Sequence, residues 1–206
     1  MSATTTTASD FVLKDLDRLI PDLEALYKDV HAHPELSMQE TRTAALAAEG
    51  LRKAGYEVTT GVGRTGVVGL LRNGEGPTVM LRADMDALPI QEATGLSYAR
   101  KVTTTDAEGR SVPVGHMCGH DMHVTWLTGA AALFAQARDH WRGTLMVVFQ
   151  PGEETAQGAR AMIDDNLLAR FPRPVVVLGQ HVMLGAAGDI AGSAGPITSA
   201  ADSLQI

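Results

Sequence analysis

A single cysteine, Cys118, excludes an internal disulfide in this chain of 206 residues, so no covalent staple holds the fold. A reducing compartment is the simpler home for a thiol needed as a ligand, and the expected location is the cytoplasm. Lys and Arg number 17 against 24 Asp and Glu, and no basic cluster forms a stripe, so neither nucleic acid nor an anionic membrane is an expected partner. No apolar run approaches the length of a membrane span. Residues 1–9 are rich in Ser, Thr and Ala with no positive charge and no apolar run, and read as a flexible tail rather than a signal peptide or anchor. Internal repeats are absent too. What is present is ordinary for a soluble α/β protein: 45% hydrophobic and 20% charged residues, with a net charge of -7 spread over isolated acids. That is enough chain for one generous domain with a substantial core.

One stretch departs from this ordinariness. Gly115-His116-Met117-Cys118-Gly119-His120-Asp121-Met122-His123 packs three histidines, the cysteine and an aspartate into nine residues. A core segment has no reason to carry so many metal donors. One glycine separates Cys118 from His120, so in a turning backbone both side chains reach the same ion or two adjacent ions. Thiolate with imidazole suits zinc and its transition-series neighbours. A purely structural zinc site favours several cysteines in paired spacing, which this chain lacks.

Around that turn the periodicities predict alternating elements. Apolar residues at three- and four-residue spacing make residues 10–30 a helix, kinked or restarted at Pro21. Ser37 and Glu40 have the spacing of a capping box for a second helix running to Ala54, ended by Gly55. β-type runs follow at residues 57–60, 67–71 and 78–81. Residues 91–114 read as a long loop or irregular hairpin. A helix is expected from Val124 to about His140, a buried strand at 145–149, a helix at 159–168 and another fully apolar strand at 175–178. Strand, helix, strand is the pattern of a mostly parallel, mixed sheet flanked by helices.

Such a sheet gathers chemistry at one edge. Asp84 and Asp86 follow the third run, Glu153 and Glu154 follow the 145–149 strand, and His181 follows the last. Successive side chains diverge, so Glu153 and Glu154 divide their labour: one carboxylate ligates a metal while the other takes a proton from the attacking water, as general base and then general acid. A solitary histidine after a strand is usually an ordinary one, and His181 gains weight only through its company. Asp86 is assigned an orienting role, holding a ligand histidine by its second ring nitrogen. His31, His33, Glu40 and Asp121 are expected to cap helices or give supporting hydrogen bonds, His123 to pack under the turn, and His140 to lie on the surface.

Taken together, His31-Ala-His-Pro-Glu35, Leu81-Arg-Ala-Asp-Met-Asp-Ala-Leu-Pro-Ile90, Cys118-Gly-His-Asp121, Gln150-Pro-Gly-Glu-Glu154 and Gly179-Gln-His-Val182 resemble the M20 metallopeptidases. The resemblance is to the amidohydrolase branch with hippurate hydrolases, N-acyl-amino-acid aminoacylases and plant auxin-conjugate hydrolases. It implies a zinc-exopeptidase-like catalytic domain with two divalent ions, Zn²⁺ or Mn²⁺ with Co²⁺ or Ni²⁺ as substitutes, on Cys118, His120, Glu154 and His181. It further implies Glu153 as catalytic base, an N-acyl amino acid as substrate, and a homodimer for the full-length family form. Met117, Gly152 and Leu184 are mild departures from the family pattern.

The resemblance also sets expectations for domain organisation. Family members are about twice as long, so residues 10–190 correspond to the N-terminal part of the catalytic domain. Residues 191–206 correspond to a connection and the start of a lid and dimerisation domain. The family's last ligand histidine falls outside the sequence. Two competing readings follow: a metal-binding fragment without turnover, acting only by association, and a hydrolase using Cys118 as nucleophile with a histidine. The second leaves Glu153, Glu154 and His181 without a role.

Overall fold

The computed structural model describes residues 7–192 and 194–195. Helices α1 (Ala8–Val12) and α2 (Leu16–Ala32) occupy the span expected to form one helix. The break falls at residues 13–15. Pro21 lies inside α2, where it forfeits one backbone hydrogen bond without ending the helix. Ala8 and Ser9, read from sequence as tail, open α1 beside a Thr7–Asp10 capping box.

Helix α3 (Thr41–Lys53) buries Ala44, Ala47, Ala48 and Leu51, an i, i+3, i+4, i+7 stripe, and Gly55 at φ +82° terminates it as expected. Its start corrects the expected capping box. The Glu35 carboxylate accepts the Arg42 and Thr43 amides at 2.8 and 2.7 Å, filling the position that Ser37 was expected to hold. Ser37 instead donates its hydroxyl to Asp86, and Glu40 turns into the interior.

Strands β1 (Glu57–Val62), β2 (Gly66–Asn73) and β3 (Thr78–Asp84) come next, then a separate hairpin of β4 (Val102–Thr105) and β5 (Ser111–Val114). Helix α4 (His120–Gln136) and a short 3-10 turn (Arg138–His140) lead to β6 (Gly143–Gln150). Residues expected as one helix at 159–168 form two, α5 (Gly158–Asp164) and α6 (Leu167–Arg170), because Asn166 adopts φ +61° between them. Strand β7 (Val176–Gly179) follows.

The sheet has the order β1-β2-β6-β3-β7. Strand β3 pairs parallel with both β6 and β7, whereas β2 pairs antiparallel with β6 and β1, so the sheet is mixed with a parallel half. Central β6 is apolar in both registers because both its faces are covered. Leu145, Val147 and Phe149 pack with Val30, Leu51 and Val124 of α2, α3 and α4. Met146 and Val148 pack on the other face with Met162 and Leu167 of α5 and α6. Each buried Val, Leu or Phe contributes about 1.5–3 kcal/mol, which makes β3 and β6 rigid supports for whatever stands at their ends. Strand β7 behaves differently: at the sheet edge Val175–Leu178 are exposed, Val175 by 73%. Among the described residues no helix is long and apolar enough to cross a membrane.

Candidate metal centre

Strands β3, β6 and β7 are parallel, so their carboxyl ends open on one edge, and three donor-bearing segments leave the sheet there. Asp84 ends β3 with Asp86 two residues beyond, Gln150 ends β6 and leads into Glu153 and Glu154, and β7 leads to His181. The fourth segment is the turn into α4, carrying Cys118 and His120. Gly119 sits there at φ +83°, and a Cβ on it would meet Val182 Cγ2 at 2.9 Å. Glycine alone lets this turn seat against the His181 segment.

Hydrogen bonds assign the proton on each imidazole. His181 Nδ1 lies 2.7 Å from the Val182 carbonyl, which can only accept, so Nδ1 donates and the Nε2 lone pair faces Cys118 Sγ at 3.5 Å, accepting from the thiol. His120 Nδ1 stands 3.2 Å from Asp86 Oδ1 and donates to it, which leaves Nε2 to face the other donors. Asp86 is fully committed. Its Oδ2 accepts the Ser37 hydroxyl at 2.6 Å and the Glu154 amide at 2.9 Å, so one buried carboxylate orients His120 and anchors the Glu154 backbone together.

The residues present fit divalent ions. His120 Nε2 and Glu154 Oε1 are buried without a hydrogen-bond partner and stand 3.8 Å apart. Glu153 Oε2 is also 3.8 Å from His120 Nε2, and Asp84 Oδ2 is 3.7 Å away. Buried polar atoms turned on one another beyond hydrogen-bond reach are costly unless a cation satisfies both. Metal bonds of about 2.0–2.3 Å in a tetrahedral arrangement separate donors by roughly 3.3–3.8 Å, the spacing seen here. Ligand atoms of Cys118, His120 and His181 lie within 4.8 Å of one another, as do those of His120, Glu153 and Glu154. His120 belongs to both groups. The structure thus gathers Cys118, His120, Glu154 and His181 with Glu153 beside them and Asp86 behind His120.

Electrostatics point the same way. Burial pushes the Cys118 thiol up to about 12, with the Glu154, Glu153 and Asp84 charges adding to it. Burial and the Glu153 and Asp86 charges raise Glu154. For His120 burial opposes charge, but the Asp86 hydrogen bond and the Asp84 charge outweigh it and raise its pKa. Burial likewise opposes ionisation of Asp84 and Asp86, yet bonds from His123 and His120 hold both carboxyls below the usual range. Cys118, Glu154 and His120 hold their protons more tightly than free groups do while Asp84 and Asp86 stay ionised, an arrangement that attracts positive charge to this edge.

His123 does more than the sequence suggested. The Val182 amide can only donate, and it does so to His123 Nε2 at 2.9 Å; Nδ1 therefore carries hydrogen and donates to Asp84 Oδ1 at 2.6 Å. Arg82 completes the chain with a 2.6 Å bond to Asp84 Oδ2. The available signal was the spacing of His120 and His123, i and i+3 on one helix face. The supporting roles expected elsewhere are what the structure shows: His31 is held between Asp121 Oδ2 (2.7 Å) and Glu92 Oε1 (3.0 Å), and His33 Nδ1 donates to the Asp29 carbonyl. His140 is exposed and stacks on Phe11, with ring centroids 3.8 Å apart.

Comparison with known proteins bears on this arrangement. The model of peptidase family M20/M25/M40 matches residues 80–193, more than half of the chain and all the candidate donors. A probable hydrolase of Synechocystis sp. is 40% identical over 198 residues, covering 94% of this chain and 47% of the relative. Hippurate hydrolase of Campylobacter jejuni is 42% identical over 163 residues, covering 79% of this chain and 39% of the relative. Among solved structures, a Bacillus subtilis dinuclear metal-binding peptidase of the M20 family superposes with a TM-score of 0.69 at 35% identity, covering 80% of this chain and 43% of that one. This chain therefore spans less than half the length of these relatives. Agreement of the family model, sequence relatives and fold over the same donor-bearing strands makes the chain a member of peptidase family M20/M25/M40.

Proposed function

We propose that this chain carries the metal-binding and proton-transfer groups of an amidohydrolase that cleaves N-acyl amino acids of the hippurate class. The observation that carries the reading is the pair of buried, unpartnered atoms, His120 Nε2 and Glu154 Oε1, with the half-exposed Glu153 carboxylate on the open side of the same centre. Cys118, His120, Glu154 and His181 would hold two divalent ions, with Zn²⁺ or Mn²⁺ favoured by the mixed thiolate, imidazole and carboxylate donors. Such ions supply Lewis acidity, lowering the pKa of an attacking water and polarising an amide carbonyl.

The residues of the chain do the rest. Glu153, whose side chain is 41% exposed against 18% for Glu154, takes a proton from the attacking water and delivers it to the departing amine nitrogen. The water oxygen bonds to the carbonyl carbon, the C–N bond breaks, and a carboxylic acid and a free amino acid leave. Asp86 keeps His120 and the Glu154 backbone in place throughout. A reducing cytoplasm suits Cys118 as a ligand.

The test is hydrolysis of hippurate by the chain supplied with Zn²⁺ or Mn²⁺, followed by released glycine, alongside calorimetric metal binding. Glu153→Ala is expected to abolish turnover with metal still bound, and Glu154→Ala to weaken metal binding itself. Metal uptake without turnover would favour a binding module that needs further chain; hydrolysis surviving a chelator would favour Cys118 as nucleophile.

A further inference from the structure

Two backbone amides flank Glu153, and each is held by a carboxylate from a distant part of the chain. The Glu154 amide donates to Asp86 Oδ2 at 2.9 Å, and the Gly152 amide donates to Glu40 Oε1 at 2.8 Å. Glu40 Oε1 also accepts the Met38 amide at 2.7 Å, and Oε2 accepts the Thr65 hydroxyl at 2.5 Å. Glu40 is completely buried, and no Lys, Arg or His pairs with it among the described residues. A buried carboxylate without a cation is expensive, and a packing role alone would be filled more cheaply by an apolar side chain. Here it is tolerated because three donors from three segments converge on it: the α2–α3 connection, the β1–β2 turn and the exit of β6.

The turn it holds has no slack elsewhere. Gly152 adopts φ +52°, and a Cβ there would lie 2.6 Å from Met38 Sδ. The Gly152 carbonyl accepts the Gln157 and Gly158 amides at 3.1 and 3.0 Å, and the Glu153 carbonyl accepts Ala156 at 2.8 Å, closing the turn on itself. The anchor at Glu154 is itself braced from the α2–α3 connection, because Ser37 donates to Asp86 Oδ2.

We propose that Glu40 is a positioning residue for the centre, fixing the Glu153–Glu154 turn from its Gly152 side while Asp86, braced by Ser37, fixes the Glu154 side. The inference rests on the metal-centre reading above. It assigns a function to a segment, residues 37–40, that lies outside the part matched by the family model. Burial raises the Glu40 pKa, opposed by the bonds from Thr65, Gly152 and Met38, consistent with a carboxylate kept in the interior for its acceptors.

The experiment loads the whole chain and its variants with Co²⁺, reading affinity by calorimetry and coordination by the visible d–d spectrum, with thermal unfolding of the metal-free protein in parallel. Glu40→Gln keeps an oxygen for Gly152 and is expected to stay within about threefold of the parent in affinity, with an unchanged spectrum. Glu40→Ala is expected to weaken Co²⁺ binding about 10- to 100-fold and to alter the spectrum at saturation. A merely structural role lowers the unfolding temperature but leaves the saturated spectrum unchanged, and that result would overturn the proposal. If Glu40→Ala does not fold, Glu40→Asp retains the charge one methylene short of Gly152; the same loss supports the proposal and parent-like binding refutes it. Absence of Co²⁺ uptake by the parent chain would overturn the reading of the centre and this proposal with it.

Discussion

Val182 gives its backbone N–H to His123 Nε2 at 2.9 Å, across 59 residues of sequence, and so ties the His181 segment to the first turn of α4. The bond explains how an exposed histidine after an edge strand is kept opposite Cys118. His123 is itself held by Asp84, and Asp84 by Arg82, so the orientation of His181 is relayed from inside β3.

From that relay follows the effect of His123→Phe. The ring shape is retained, but the Val182 amide loses its acceptor and Asp84 loses a donor in the interior. Unsatisfied buried groups of this kind cost about 1–3 kcal/mol, read by urea unfolding. Zinc affinity is expected to fall about 10- to 100-fold, as for other residues that orient a ligand, and calorimetry reads it. Unchanged affinity with lowered stability would confine His123 to packing.

Gly119→Ala probes the same contact from the other side. The residue is at φ +83°, where an L side chain costs about 1–2 kcal/mol, and its new Cβ would press on Val182 at 2.9 Å. A drop in unfolding temperature is expected together with weaker metal binding, because Cys118 and His120 lie on either side of the glycine. Loss of stability with intact zinc affinity would show that the turn relaxes without moving its ligands.

Much of this centre was legible because its donors crowd into short motifs at strand exits, and strand exits can be read from apolar runs such as Leu145 to Phe149. Other features were decided by groups far apart in sequence. Ser37 has the right spacing for a cap, yet the Glu35 carboxylate reaches the Arg42 and Thr43 amides first, and Ser37 finds Asp86 across 49 residues. Asn166 interrupts a helical stripe because a left-handed residue leaves the apolar spacing untouched. Val175 to Leu178 read as a fully apolar strand, but composition does not reveal place in a sheet, and β7 lies exposed at the edge. Most of residues 191–206 lie outside the described residues.

Cys118 yields a prediction about metal removal. With its thiol pushed up to about 12 by burial and by Glu154, Glu153 and Asp84, the thiolate at pH 8 is roughly one part in ten thousand. Alkylation of the chelator-treated protein by iodoacetamide at pH 8 is expected to be much slower than that of an ordinary exposed cysteine. Glu154→Gln removes the charge that raises the thiol most and is expected to speed the reaction severalfold, with burial limiting the gain. Rapid alkylation of the metal-free parent would show that the acidic neighbours do not govern the thiol.

His31 yields a prediction about pH. Its ring lies between Asp121 and Glu92, with Tyr27, Tyr98 and His116 the other titratable groups around it. Burial opposes its charge, but the bonds to Glu92 and Asp121 outweigh burial and raise its pKa above 6.5. A group whose pKa is higher folded than unfolded contributes stability that is complete below the unfolded value and disappears as pH rises through the folded one. Unfolding free energy is therefore expected to decline on the alkaline side of pH 6.5, with a slope no steeper than about 1.4 kcal/mol per pH unit from this one proton. His31→Gln can donate from its amide nitrogen to only one of the two carboxylates, its oxygen being an acceptor like the other, and carries no titrating proton, so it should flatten that decline while lowering stability at pH 6. Urea unfolding of both proteins between pH 6 and 9 measures the difference, and parallel curves would show that the imidazolium does not clamp α2 to α4 and the Glu92 loop.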